Sequence, residues 1–297
     1  MGTPDFAVAS LAALLNAGFD IVGVVTAADK PAGRGQKLNE SAVKKFAIAH
    51  NLKVLQPLKL KAPDFIEELR DLGADLQVVV AFRMLPEVVW AMPPKGTINL
   101  HGSLLPDYRG AAPINHAIIN GESESGVTTF FLTHEIDTGD IIKSAKVSIG
   151  PDETAGELHD KLMETGAALL VETVKSIEAG NYSEQPQQST DETKHAPKLF
   201  KEFGAINWTE SAQKIHNLIR GLSPYPTAYT HLQDKTLKIF KAELETTQPE
   251  VPAGTYITDG KTYLKYAAAD GILNLLDVQL EGKKRMPVGD LLRGMRF

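Results

Sequence analysis

The 297-residue chain contains no cysteine, which excludes disulfides, thiolate metal ligands and a cysteine nucleophile. It has no apolar run long enough to span a bilayer, and no basic-then-apolar leader opens it. These absences predict a cytoplasmic protein without a membrane segment. The Gly-x-Gly-x-x-Gly of a nicotinamide-binding enzyme is missing too, because the first turn reads Gly2-Thr3-Pro4-Asp5-Phe6. His134-Glu135 lacks the second, helix-spaced histidine of a zinc protease and the other histidines are scattered, so no metal is expected.

What is present is an ordinary globular composition, 43% hydrophobic and 23% charged, long enough for two domains. The net charge of −6 is unevenly spread. Residues 1–200 hold 18 basic against 26 acidic side chains, a net −8, and residues 201–297 hold 13 against 11, a net +2. A basic second half joined to an acidic first half points to a polyanionic partner.

Short β-branched segments alternate with helical ones through the first half. Ala7 to Ala17 reads as a helix closed by Gly18, and Ile21 to Thr26 as a buried strand. Helices follow near Ala42–His50 and Asp64–Leu72, then a strand at Leu76–Ala81, a helix near Pro86–Trp90 and a strand at Val127–Leu132. That alternation predicts a doubly wound, mostly parallel α/β sheet. Such a sheet needs a strand before the first turn, where this sequence starts, so a longer native polypeptide is expected. Asp29 to Lys37, with two glycines and a proline, reads as a loop without regular structure. Thr154-Ala155-Gly156-Glu157 is a capping box opening a long helix, with Leu158, Leu162, Leu169 and Ile177 on its buried side and Gly180 at its end.

After a polar stretch the pattern changes. A helix near Ser211–Arg220 leads to short strands at Ala228–Leu232, Thr236–Ala242, Gly254–Thr258, Tyr263–Ala267 and Ile272–Gln279, with Asp259-Gly260 and Asp270-Gly271 as turns. Short strands with regular turns predict a small β-barrel. The expected division is therefore 1–182, a linker over 183–200, and 201–297.

The chemistry concentrates between Gly96 and Asp140. Thr97 to Leu100 suits a buried strand, and Asn99 and His101, two apart, fall on one face of it. Gly102-Ser103 and Pro106 end the strand, so two polar side chains stand at its carboxyl end, where open α/β sheets place ligands. The string from Asn99 through Ser103-Leu104-Leu105-Pro106 to Tyr108-Arg109-Gly110-Ala111-Ala112-Pro113-Ile114, with Asp137-Thr138-Gly139-Asp140 downstream, resembles the 10-formyltetrahydrofolate-dependent formyltransferase family. Leu222-Ser223-Pro224-Tyr225-Pro226-Thr227-Ala228 resembles the same family's approach to its second domain.

The resemblance implies an OB-like barrel for the second domain. It also implies direct acyl transfer through a tetrahedral intermediate, with 10-formyltetrahydrofolate as cosubstrate. Asn99 and His101 are then donors to the oxyanion, and Asp137 orients His101 and assists proton movement. Ser103, Leu104, Leu105 and Pro106 border the folate site. The family usually has Tyr-Gly where this chain has Phe82-Arg83, a departure that bears on the pteridine pocket. Pro31-Ala32-Gly33-Arg34-Gly35 is similar to the tRNA-contacting loop of the tRNA-formylating branch. On that reading Arg34, Lys37, Lys283, Lys284 and Arg285 meet initiator methionyl-tRNA, and the protein acts as a monomer. An amine on a nucleotide sugar remains the alternative acceptor.

Overall fold

The computed structural model describes residues 1–32 and 37–295. They form two compact units, Met1–Arg109 with Gly126–Val147 and Asp160–Lys194, and Gly110–Ser125 with Ser148–His159 and His195–Phe297.

In the first unit, helices alternate with short parallel strands. Val24–Val25 pairs parallel with Val54–Leu55, and Gln77–Val80 with Thr97–His101. Met1 and Gly2 bridge these two pairs: the Gly2 amide donates to the Val25 carbonyl at 3.0 Å, and the Val80 amide to the Met1 carbonyl at 2.9 Å. Only glycine fits there, since a Cβ on Gly2 would lie 2.4 Å from the Ala7 Cβ. The Met1 nitrogen donates to the Val78 carbonyl at 2.6 Å.

The helix Pro63–Asp71 opens on Pro63, whose missing amide hydrogen costs nothing at a helix start. Its Phe65, Ile66 and Leu69 are buried with Val25, Leu55, Val79 and Val89. Fully burying such side chains stabilises by roughly 1.5–3 kcal/mol each.

The sheet is mixed beyond its parallel half. Glu124–Phe131 runs antiparallel to Thr97–His101, placing Phe130 opposite Asn99 and Thr128 opposite His101. Ile141–Ser148 lies on its outer side. The long helix Ala155–Glu178 starts as its capping box demands: the Thr154 amide donates to the Glu157 carboxylate at 2.8 Å, and the Glu157 amide to the Thr154 hydroxyl at 3.3 Å. A Cβ on Gly166 would sit 3.0 Å from Leu100 Cδ2, so that glycine lets the helix close on the back of the Asn99–His101 strand. No helix of the described residues is long and apolar enough to cross a membrane.

The segment expected to lack regular structure contains a hairpin: Lys30–Ala32 pairs antiparallel with Lys37–Asn39. A two-stranded ribbon consists only of edges, and edges tolerate a proline such as Pro31.

The second unit carries an antiparallel sheet in the order Ala228–Leu232, Lys235–Glu245, Ile272–Leu280, Leu264–Ala267, Tyr256–Thr258. Among the described residues it stays open, a curled half-barrel. Lys235–Glu245 points Leu237 and Ile239 inward, then a register shift around Lys241 turns Ala242 inward instead. That bulge supplies the curl. Trp208 stacks on Tyr266 at 4.6 Å inside, with its indole N–H donating to Thr230 Oγ1 at 2.9 Å. The helix Ala212–Gly221, capped by Ser211, buries Ile215 and Ile219 in the same core.

Candidate active site

The Thr97–His101 strand ends with two polar side chains on one face, backed by Ile98 and Leu100, which are buried on the other. Asn99 is half-buried, and its carboxamide has no side-chain partner among the described residues. A paired core amide would be satisfied, so this one is left with its donors and acceptor free. His101 is buried. Its Nε2 lies 2.9 Å from the Tyr108 carbonyl, and its Nδ1 lies 3.8 Å from Asp137 Oδ2. The carbonyl can only accept, so the Nε2 proton is committed to it. The edge left for chemistry is Nδ1, facing a carboxylate just beyond hydrogen-bond reach.

Asp137 sits in a tight turn with φ of +56°. Its neighbour Gly139 cannot be replaced, since a Cβ there would fall 1.7 Å from the Phe131 carbonyl oxygen. Gln187 fastens this turn. Its amide donates to the Asp137 carbonyl at 2.9 Å and the Gly139 carbonyl at 2.8 Å, and its oxygen accepts two bonds from Arg109. Gln187 lies in the polar stretch that reads from sequence as linker, and a glutamine among glutamines gives no signal there.

Thr128, opposite His101, is a second residue the sequence does not single out. Its hydroxyl donates to the Ser103 carbonyl at 2.7 Å and accepts from the Leu105 amide at 3.2 Å. The Ser103–Pro106 loop is thereby braced from beneath. Ser103 is fully buried and spends its hydroxyl on the Asp107 carbonyl at 2.6 Å. Leu105 is buried, while Leu104 covers Gly126, where a Cβ would come within 2.4 Å of it. Ser103 therefore offers a ligand no free hydroxyl, and what the loop presents is shape and apolar surface.

A family model described as formyl transferase matches residues 1–174, and one described as formyl transferase, C-terminal domain, matches residues 198–296. The chain belongs to the formyltransferase family. Among its relatives, the methionyl-tRNA formyltransferase of Flavobacterium johnsoniae is 53% identical over all of this chain and 95% of its own length. That of Bacteroides fragilis is 50% identical over all of this chain and 94% of its own. A solved N-formyltransferase from Helicobacter canadensis, in complex with folinic acid and dTDP-3-aminofucose, shares the fold with a TM-score of 0.70. It is 22% identical and aligns over 96% of this chain and 97% of its own.

Within this formyltransferase, the departure at Arg83 is accommodated locally. Its guanidinium donates to the Pro57 and Leu58 carbonyls, at 3.0 Å for the latter, and lies 5.6 Å from the Phe82 ring centre. His134 stands 3.6 Å from Glu87 and edge-on to Trp90 at 5.2 Å. Among the described residues no group of three or more histidine, aspartate or glutamate side chains could hold a metal.

Arg34 and the side chain of Lys37 lie outside the described residues. Lys283 and Lys284 are exposed. Arg285 is engaged within its own unit: it donates twice to Asp277, at 2.9 and 2.7 Å, and its guanidinium lies 4.2 Å from the Phe240 ring centre. Asp277 comes from the neighbouring strand, a counter-charge that the sequence of the tail does not reveal.

Proposed function

We propose that the chain transfers the formyl group of 10-formyltetrahydrofolate to the α-amino group of methionine on initiator methionyl-tRNA. The observation that carries the reading is the unpartnered Asn99 carboxamide on the same strand face as His101, with Asp137 at the ring's open edge. The methionyl amine attacks the formyl carbon, and the carbonyl oxygen becomes an oxyanion. The Asn99 amide donates to that oxygen, and so does an Nδ1–H of His101 in its imidazolium form, the Nε2–H being held by the Tyr108 carbonyl. Asp137 takes the proton released by the amine. Collapse of the intermediate breaks the bond between the formyl carbon and N10 of the folate, and the proton passes to N10. The Ser103–Leu104–Leu105–Pro106 loop borders the folate.

Relatives named methionyl-tRNA formyltransferase, about half identical over the whole chain, support tRNA as the acceptor, whereas the sugar-formylating structures support only the fold. On this reading residues 1–182 carry the reaction, 183–200 link, and 201–297 meet tRNA. Arg34, Lys37, Lys283 and Lys284 contact RNA, with Arg285 held back by Asp277, and the protein works as a cytoplasmic monomer. The test is formyl transfer from labelled 10-formyltetrahydrofolate to charged initiator tRNA and, in parallel, to a dTDP-amino sugar. Transfer to the tRNA alone is expected, and transfer to the sugar alone would overturn the acceptor assignment.

A further inference from the structure

Both groups that bracket His101 stand on left-handed backbone. Tyr108, whose carbonyl faces Nε2, has φ of +60°, and Asp137, whose carboxylate faces Nδ1, has φ of +56°. That conformation costs energy at a residue with a side chain, so each position needs a hold from outside. One polar stretch holds both. The Lys194 carbonyl accepts from the Tyr108 amide at 2.6 Å, and the Lys194 amide donates to the Asp107 carboxylate at 2.9 Å. Gln185 exchanges two backbone bonds of 2.9 Å with Ile141, just past the Asp137 turn. Between these two anchors Gln187 spends its amide N–H groups on the Asp137 and Gly139 carbonyls.

Arg109 joins the two sides. It follows Tyr108 in the chain, and its Nε and Nη2 both donate to Gln187 Oε1, at 3.0 and 2.6 Å. An arginine can only donate, so it fixes which end of the Gln187 amide is oxygen. The amide hydrogens are thereby aimed at the turn, whose carbonyls can only accept. A glutamate at 187 would meet the arginine equally well and bring no hydrogen to those carbonyls. The fork of two donors also sets a distance and a plane, which couples the Tyr108 side of His101 to the Asp137 side.

We propose that Arg109 and Gln187 are positioning residues for formyl transfer. The pair sets where the Tyr108 carbonyl and the Asp137 carboxylate stand around His101, and so governs the chemical step rather than the binding of either substrate. This inference rests on the formyl-transfer reading above.

The test uses full-length Arg109→Ala and Gln187→Glu. It measures the single-turnover rate at saturating donor and methionyl-tRNA, the KM for each, and the melting temperature. Both variants should slow the chemical step about tenfold, with each KM within about twofold of wild type. Gln187→Glu should do so without a lower melting temperature, because its carboxylate still pairs with Arg109, and a merely structural role predicts no such split. In an Asp137→Asn background, Arg109→Ala should cost about twofold at most, since it acts through the group already removed. A wild-type rate in Gln187→Glu, or a full further tenfold loss in the double variant, would overturn the proposal. So would a raised KM for methionyl-tRNA as the sole effect of Arg109→Ala, which would give that guanidinium to RNA. If the wild type transfers no formyl group at all, the formyl-transfer reading itself fails. The ring 15N signals of His101, identified by their loss in His101→Ala, then decide the positioning on their own. They should move in Arg109→Ala, and unmoved signals would overturn it.

Discussion

Two buried histidines each lie near an aspartate in this molecule, one at the end of the Thr97–His101 strand and one in the Ala212–Gly221 helix of the other unit. His101 is bracketed by acceptors, the Tyr108 carbonyl on Nε2 and Asp137 on the Nδ1 side, and Asp137 is itself only 12% exposed. His216 has Asp152 3.5 Å from Nε2, but that carboxylate is 77% exposed and so largely given to water. Burial first, and then the Arg220 guanidinium, hold His216 below its usual pKa of 6.5, against the weaker pull of Asp152 and of the Ala242 carbonyl. Arg220 is spent on the Asn217 side chain and on the Gly150 and Glu153 carbonyls. A histidine, an aspartate and burial are therefore common to both places. What distinguishes the first is a carboxylate sheltered from water and an unpartnered amide on the same strand face.

The sharpest break of that comparison is to remove the sheltered charge. Asp137→Asn should lower turnover by ~10²–10³ while leaving donor binding nearly intact, and His101→Ala should cost a similar factor. Steady-state kinetics with a separate folate-binding measurement checks both. Losses no larger for these than for substitutions at His216 would erase the distinction.

A smaller effect is expected where the turn is fastened. Gln187→Ala removes the bonds to the Asp137 and Gly139 carbonyls. We expect kcat to fall about tenfold and stability by about 1–2 kcal/mol. Gln187 acts through Asp137, so adding Gln187→Ala to Asp137→Asn should cost little further turnover. A full additional tenfold loss in the double variant would show that Gln187 serves the reaction by another route.

How much of this was legible in the sequence follows from how local each cause is. The capping box at Thr154, the half-barrel strands and the shared face of Asn99 and His101 are set by neighbours in the chain, and the structure places them within a residue or three of the reading. Partners distant in sequence were not legible. Gln187 reaches Asp137 across 50 residues, and Thr128 reaches Ser103 across 25. The antiparallel course of Glu124–Phe131 depends on how the chain returns to the sheet, which strand propensity does not encode. The hairpin at Lys30–Ala32 was missed because its composition signals a loop and only pairing makes it a ribbon.

The least costly change concerns the other histidine. The folded pKa of His216 lies below its unfolded value, so the unfolded chain takes up the proton first as pH falls. Its stabilising contribution is complete above pH 6.5 and declines below it. Arg220, Asp152, Lys241 and Glu243 share its cavity and are kept unchanged in the test. His216→Gln should flatten that part of the stability–pH curve and leave formyl transfer at wild-type rate. An unchanged curve would mean that His216 titrates as it does in the unfolded chain.

Asn99 offers the most direct test of the whole account, because its carboxamide has no side-chain hydrogen-bond partner among the described residues, so its removal breaks no such bond. The measurement is the single-turnover rate of formyl transfer to methionyl-tRNA by Asn99→Ala, with donor and tRNA both saturating so that the chemical step alone is read. A donor to the developing oxyanion predicts a rate ~10²–10³ below wild type, with donor affinity and melting temperature preserved. A chemical step within about twofold of wild type would contradict the assignment of this strand end as the place where the formyl group moves.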